Sequence, residues 1–578
     1  MVVALEMSAH VSAANVTKAD GTAALNTSAA WVSGVPPTSS DMAVWDNTVL
    51  TAYTLNLGAT TNWAGIQILN PGGAVTITNV NATLLIGGSG VDTSGGSQSL
   101  TLACPVALAT NNVNSPWNLV SGVTISGSLN GTNILEKSGS GTLTLSATAG
   151  AATIQIDAGI VSLNASSGIT NSLNGGTLNV NTAAGNPINV MAGGGTEQNV
   201  GGNRTWSGSL TGSGPLTVIA SSTHTWSGNN SGYTGTITLQ GGGTLRLNTL
   251  TAVSGGTTYI FNSGNILANT AGIFSLGSLG GSGTISGASG QNFSVGALNA
   301  NTDFGGVISG ATAMIKTGTG TQTLSGANTY TGNTIVSNGV VQIGDGGSAG
   351  SLASPVVFLT NTAASTLSFN RSDAALNFTN VITGSGGVQQ NGSGTVFLSG
   401  LAGGSGANNY SGGTLLNGGI LKFATGALGT GGVFFTNNAA LEWASGNTTD
   451  ISSQIVTLGN GGGTLDVNGN TVTLANAIGN YGPGSLTVKS TAANGTLNLQ
   501  TASTFSGGTT ISSGTLNANN ASGSGPGSGN VTVSGGFLGG TGTVTAAVGA
   551  GQRRSCSGQC WRGHVDGRIP HFGNRLHQ

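Results

Sequence analysis

The sequence predicts an all-β chain, a solenoid of many short strands with an apolar interior and a hydroxyl- and amide-rich exterior. Three observations lead there. Short runs alternate apolar residues with Thr, Ser or Asn and stop at Gly or Asn. A 14-residue unit recurs without gaps. Charge is nearly absent, 5% of residues, while glycine supplies 104 of 578.

The alternation is plainest in "VTIT" (75–78), "TLTLS" (142–146), "TVTLA" (471–475) and "VTVS" (531–534). Period two over four to six residues is the mark of a strand with one buried face. The Gly and Asn between runs tolerate the positive φ of tight corners. No stretch keeps a 3.6-residue period.

The repeat is carried by "YTGNTIVSNGVVQI" from Tyr330, "YSGGTLLNGGILKF" from Tyr410 and "FSGGTTISSGTLNA" from Phe505, with a looser copy from Tyr233. Each opens on an aromatic. Gly follows two residues on (Gly332, Gly412, Gly507), then an apolar residue (Val336, Leu416, Ile511), a second Gly (Gly339, Gly419, Gly514) and another apolar residue (Val341, Leu421, Leu516). A second unit, "TGTGTQTLSG" (317–326) and "NGSGTVFLSG" (391–400), precedes two copies, and "SGSGTLTLSA" (138–147) matches it. One such unit cannot bury its apolar face; stacked units can. Unequal distances between copies argue against a propeller, which needs equal blades, and for a solenoid with corner loops of varied length. The three aligned apolar positions are expected to point inward.

Composition excludes several classes. The net charge of −2 offers no polyanion partner, so nucleic acid is not expected. No apolar run reaches the length of about 18 residues that a membrane helix needs. Three cysteines, Cys104, Cys556 and Cys560, cannot build a disulfide framework.

"LSGANTYTGNTIVSNGVVQIGD" (324–345), "GANNYSGGTLLNGGILKF" (406–423) and "ASTFSGGTTISSGTLN" (502–517) resemble the autotransporter-associated β-strand repeat of bacterial passenger regions. "WVSGVPPTSSDMAVWDN" (31–47) and "WAGIQILNPGGAVTI" (63–77) resemble the first coils of such proteins. The resemblance implies a right-handed parallel β-helix of the pectin-lyase-like kind, a single elongated rod, exported to the bacterial surface or beyond. At roughly 20 residues per coil and about 4.8 Å per rung, it would hold about 25 coils over about 120 Å. The divisions expected are a signal-peptide remnant at 1–14, N-terminal coils at 15–120, the repeat-bearing body at 121–550 and an aberrant tail at 551–578.

Parallel β-helices also host polysaccharide lyases and glycosidases, which gather carboxylates on one face. Here the acids are sparse. Asp157, Glu197, Asp303, Asp345 and Asp373 stand alone in sequence, and the nearest pair, Asp41 and Asp46, is read as turn capping. The β-helix calcium repeat needs Gly-Gly-x-Gly-x-Asp. "GGGTLDVNG" (461–469) has Thr464 at the required glycine, so Asp466 is read as a corner residue. His224 beside Trp226 is read as coil packing, with sugar contact as the alternative. No catalytic, cofactor-binding or metal-binding residue is assigned, and no cofactor is expected.

The ends stand apart. Val11-Ser12-Ala13 suits a signal-peptidase site, although Glu6 and His10 interrupt the apolar stretch. The tail carries five arginines and three histidines in 28 residues. Cys556, Cys560, His564 and His571 are zinc-ligand types at a spacing unlike the usual fingers. A shifted frame fits better: one set of synonymous codons for Gln552 to Gly567, read one nucleotide along, spells Ala-Ser-Val-Ala-Pro-Ala-Pro-Ala-Ser-Ala-Gly-Val-Gly-Thr-Leu-Thr-Val. A genuine unstructured tail is the other reading. The frameshift would leave a passenger without its C-terminal anchor.

The expected function is an exported, non-enzymatic scaffold, a surface adhesin or structural stalk meeting a surface polysaccharide or a host or matrix surface. A carbohydrate-active β-helix enzyme is the alternative.

Overall fold

The computed structural model describes residues 13–550, apart from 110–113, 149, 151, 166–167, 183–184, 200, 363, 401–407 and 481. The signal-peptide and tail expectations fall almost wholly outside that range, including Cys556, Cys560, His564 and His571. The described residues form 59 short strands and two single-turn 3-10 helices, Ser28–Ala30 and Leu250–Ala252. The chain divides into two compact units, Met1–Gly277 with Gly283–Ile285, and Ser278–Ser282 with Ser286–Gln578.

Within each unit the strands pair in parallel with strands one turn later in the chain. The step between partners runs from 17 residues (Thr153 to Thr170) to 27 (Ala14 to Asp41). The fold is thus an all-β parallel solenoid of about 23 turns, against the 25 expected. Parallel sheets are ordinarily covered on both faces and read as continuous apolar runs. Here the inner face alone is covered by protein, which is why the strands alternate.

In the first unit one inward column runs Leu100, Val123, Leu143, Val161, Leu178, Glu197, Val218, Leu239, Phe261. Its one polar member is Glu197. In the second unit a column runs Leu324, Ile343, Phe369, Gln390, Leu416, Phe435, Leu458. Each fully buried apolar side chain contributes about 1.5–3 kcal/mol. Val336, Leu416 and Ile511 are all at 0% exposure, so the repeat register read from the sequence holds. At the N-terminal turns, Trp31, Trp45 and Trp63 pack as a buried triad with centroids 5.8–6.1 Å apart.

The recurring letters of the 14-residue unit have separate causes. The opening aromatics Tyr233, Tyr330, Tyr410 and Phe505 are buried. Tyr330 and Tyr410 share hydroxyl hydrogen bonds with Thr334 and Thr414, four residues on, at 2.6 and 2.8 Å. Phe505 has no hydroxyl, and Thr509 donates to the Pro526 carbonyl at 2.7 Å instead. The first glycine permits close approach of backbones: a Cβ on Gly332 would lie 2.2 Å from the Thr312 carbonyl oxygen. The second turns the corner with φ of 70° at Gly339, 53° at Gly419 and 74° at Gly514.

Candidate functional site

The carboxylates are spent on local structure. Asp41 accepts from the Thr38 hydroxyl and amide, and Asp46 accepts from the Thr48 amide. They bracket the strand Asp41–Trp45, so about 16 Å of extended chain separates them, too far for an acid pair. Asp157 accepts from Gln155 and Asn174, Asp303 from Ser325, and Asp345 from the Gly347 amide. Asp373 pairs with Arg371 at 2.8 Å, and this pairing holds its carboxyl below the usual range. Asp466 ends the strand Gly463–Asp466, where it accepts from the Asn468 and Thr491 amides and meets Lys489 at 3.3 Å. Glu442, its partner one turn back, is paired with Lys422 at 2.7 Å. This outward run of Lys422, Glu442, Asp466 and Lys489 is neutral in sum. Among the described residues no group of three or more His, Cys, Asp and Glu side chains gathers. No helix among them is long and apolar enough to cross a membrane.

One pair was not visible in sequence. Glu197 does not stand alone: its carboxylate lies 3.4 Å from His224 Nδ1, with side-chain exposures of 2% and 0%. Glu197 points in from the strand Gly195–Asn199, and His224 points in from Thr223–Trp226 on another sheet. His224 packs edge-to-face on Trp226, centroids 6.2 Å apart, as the coil-packing expectation required. None of the four polar atoms of the pair has a hydrogen-bond partner among the described residues. Burial pushes the Glu197 carboxyl up to about 8 and the His224 imidazole down to about 4. Both groups are therefore neutral at pH 7. Sealed inside the coil, they cannot reach a substrate. The available signal was positional: Glu197 occupies a place that is apolar in every neighbouring turn.

The outer surface offers ladders. Thr54, Thr76, Thr101, Thr124 and Thr144 stack in five successive turns of the first unit. Their sequence spacing is uneven because the corner loops absorb the difference. Asparagines stack likewise: Asn437 donates to Asn417 at 2.7 Å, and Asn417 to Asn391 at 3.4 Å. In the second unit a shallow recess of about 150 Å³ opens on the outer face beside Phe434.

Comparison with known families now places the repeat. The family described as the passenger-associated-transport-repeat matches residues 314–343, 388–423 and 494–518. The chain carries passenger-associated transport repeats. Their ends, at 343, 423 and 518, are the ends of the three 14-residue units. A 77-residue stretch, 13% of this chain, is 43% identical to the protein named adhesin BmaC autotransporter of Brucella suis biovar 1 (strain 1330). That stretch spans 2% of the relative's length. No solved structure matches the chain.

The passenger-associated repeat also has an inward corner cap that the sequence did not reveal. In the first match Lys316 points inward between Val295 and Val336, and its ammonium donates to the carbonyls of Thr317, Gly318 and Asn338 at 2.5, 2.8 and 3.3 Å. In the second, Gln390 takes the same place and donates to Gly392 and Gly394 at 3.1 and 3.0 Å. Outside the matched residues, Lys137 in "LEKSGSGT" does the same to Ser138, Gly139 and Ala158 at 2.7–3.0 Å. A polar group in a strand's last inward position thus satisfies the turn carbonyls that no strand can reach. Burial lowers both lysines to about 8.

Proposed function

We propose that this protein is an exported, non-enzymatic passenger scaffold that acts as an adhesin or stalk at the bacterial cell surface or in the secreted matrix. Its solenoid is then a right-handed β-helix of the pectin-lyase-like kind. The observation that carries the proposal is the set of three passenger-associated transport repeats, each built into the solenoid wall. The adhesin name of the similar Brucella protein supports the same direction. So does the disposition of polar groups: the described carboxylates are tied to turns or paired, and the pair with displaced pKa values is buried. The outer ladders present hydroxyls and amides, which suit a neutral surface such as a polysaccharide or matrix better than nucleic acid. Anchoring would come from sequence or partners beyond the described residues.

The test is adhesion. Bacteria that produce the protein, and the same strain with the gene deleted, are applied to plates coated with polysaccharide or with matrix protein. Loss of attachment on deletion, restored by complementation, is expected. Equal attachment by both strains on every coating would remove the adhesive role. Release of reducing sugar from the polysaccharide by purified protein would favour an enzyme instead.

A further inference from the structure

We infer that the recess beside Phe434 is a subsite for an uncharged polysaccharide chain. This rests on the adhesive reading above and names where, and to what, the surface would bind. The recess lies on the outer face of four successive turns of the second unit, formed by strands Ser365–Phe369, Gly387–Gln390, Thr414–Leu416 and Val433–Phe435. Its floor lacks side chains. Gly387 and Gly413 precede Val388 and Thr414, which are paired across the sheet, and Gly432 precedes Val433 in the next turn. Gly387 and Gly413, in adjacent turns, leave a slot about 5 Å long at the rung spacing of a sheet, whereas the place over Gly432 is filled by Val456 and the Phe434 ring. One wall is the outward column Gln389, Leu415, Phe434.

Phe434 is 39% exposed, more than any other aromatic side chain among the described residues, most of which are buried. The glycines make room for the ring, which lies over them: a Cβ on Gly432 would sit 3.1 Å from the ring and 2.7 Å from Val456, and one on Gly413 3.3 Å from the ring. The polar groups at the slot are uncommitted. Gln389 accepts one hydrogen bond, from Asn391, at 3.3 Å. Its amide NH2 has no protein partner among the described residues, nor do the hydroxyls of Thr362 and Thr366, which line the same recess. None of the lining residues is charged.

An aromatic face beside a narrow slot, with a free amide donor and free hydroxyls, is complementary to a sugar ring. The C–H face of the sugar would pack on Phe434 while its hydroxyls exchange hydrogen bonds with Gln389, Thr362 and Thr366. The uncharged lining selects a neutral polymer. A uronate-bearing chain would bring a carboxylate to a place with no cation to meet it. One shallow subsite binds weakly. Many protein copies on one cell would convert it to firm attachment.

The experiment is affinity gel electrophoresis of the full chain through gels containing amylose, galactomannan, mixed-linkage β-glucan or polygalacturonate, with Phe434→Ala and Gln389→Ala as variants. At least one neutral polymer is expected to retard the wild type. Phe434→Ala should weaken that retardation about tenfold, with its circular dichroism and melting unchanged. Retardation by polygalacturonate alone, none by any neutral polymer, or full retention by Phe434→Ala would overturn the inference. Light scattering supplies the other arm. A wild-type dimer that Phe434→Ala makes monomeric would assign the recess to a second copy of the chain and overturn it too. Cells carrying Phe434→Ala separate this inference from the broader one. If they attach as well as wild type, the subsite fails and the adhesin stands; if wild-type cells do not attach, the adhesin fails whatever the gels show.

Discussion

Replacing Glu197 by Gln should remove most of the protein's loss of stability in mild alkali. Glu197 is protonated in the fold up to a pH of about 8 and ionised in the unfolded chain above about 4.5. A group whose folded pKa is raised gives stability that is full below the unfolded value and is lost as pH climbs to the folded one. The slope is about 1.4 kcal/mol per pH unit between those limits. His224 has the opposite sign. Its folded value lies near 4 against 6.5 unfolded, so its share is full above 6.5 and is lost as pH falls toward 4. The two slopes cancel between about pH 4.5 and 6.5, leaving a plateau. From pH 6.5 to 8 Glu197 acts unopposed, and the local turns should lose about 2 kcal/mol. Gln is neutral in both states, so Glu197→Gln should be flat over that window. A stack of turns need not unfold as one unit. Hydrogen exchange at the strands Thr177–Val180, Gly195–Asn199 and Leu216–Ala220 is therefore the proper assay, beside thermal melting. A wild type equally protected at pH 6.5 and 8, or a variant that keeps the slope, would refute the reasoning.

Further outcomes follow from the same packing. Leu416→Ala should cost about 2–5 kcal/mol and Leu416→Asp more, measured by thermal melting, because the side chain is fully enclosed between Gln390 and Phe435. Lys316→Gln should lie within about 1 kcal/mol of wild type, since Gln390 fills the equivalent corner, whereas Lys316→Ala should cost about 1–3 kcal/mol by stranding turn carbonyls. Tyr410→Phe should cost about 1 kcal/mol by leaving the Thr414 hydroxyl without its 2.8 Å partner. Chelators should leave the melting temperature and the β-sheet circular dichroism unchanged.

Strand character was legible because each strand has one covered face, and period two then marks which residues enter the coil. Val336, Leu416 and Ile511 could be placed inside from three aligned copies alone. The corner glycines were legible for the same reason, since Gly339, Gly419 and Gly514 recur where φ must be positive. Contacts across the coil were not legible. Glu197 and His224 are 27 residues apart on different sheets, and no local pattern brings them together; only the column Leu178, Glu197, Val218 betrays an acid in an apolar place. Lys137 and Lys316 were overlooked because an isolated lysine in a strand reads as a solvated side chain, whereas here its stem packs inside and its head closes a turn. The recess at Phe434 depends on which glycines fall opposite one another in successive turns. That depends on loop lengths, and hence on a register the sequence does not state.

The central claim is that the repeats belong to a scaffold displayed outside the cell. Antibody raised against residues 314–343, applied to intact and to lysed cells of the producing strain, tests it most directly. Labelling of intact cells or of the culture supernatant, abolished by prior protease treatment of the intact cells, is the result expected. Labelling that appears only after lysis, with full-length protein untouched by external protease, would contradict it.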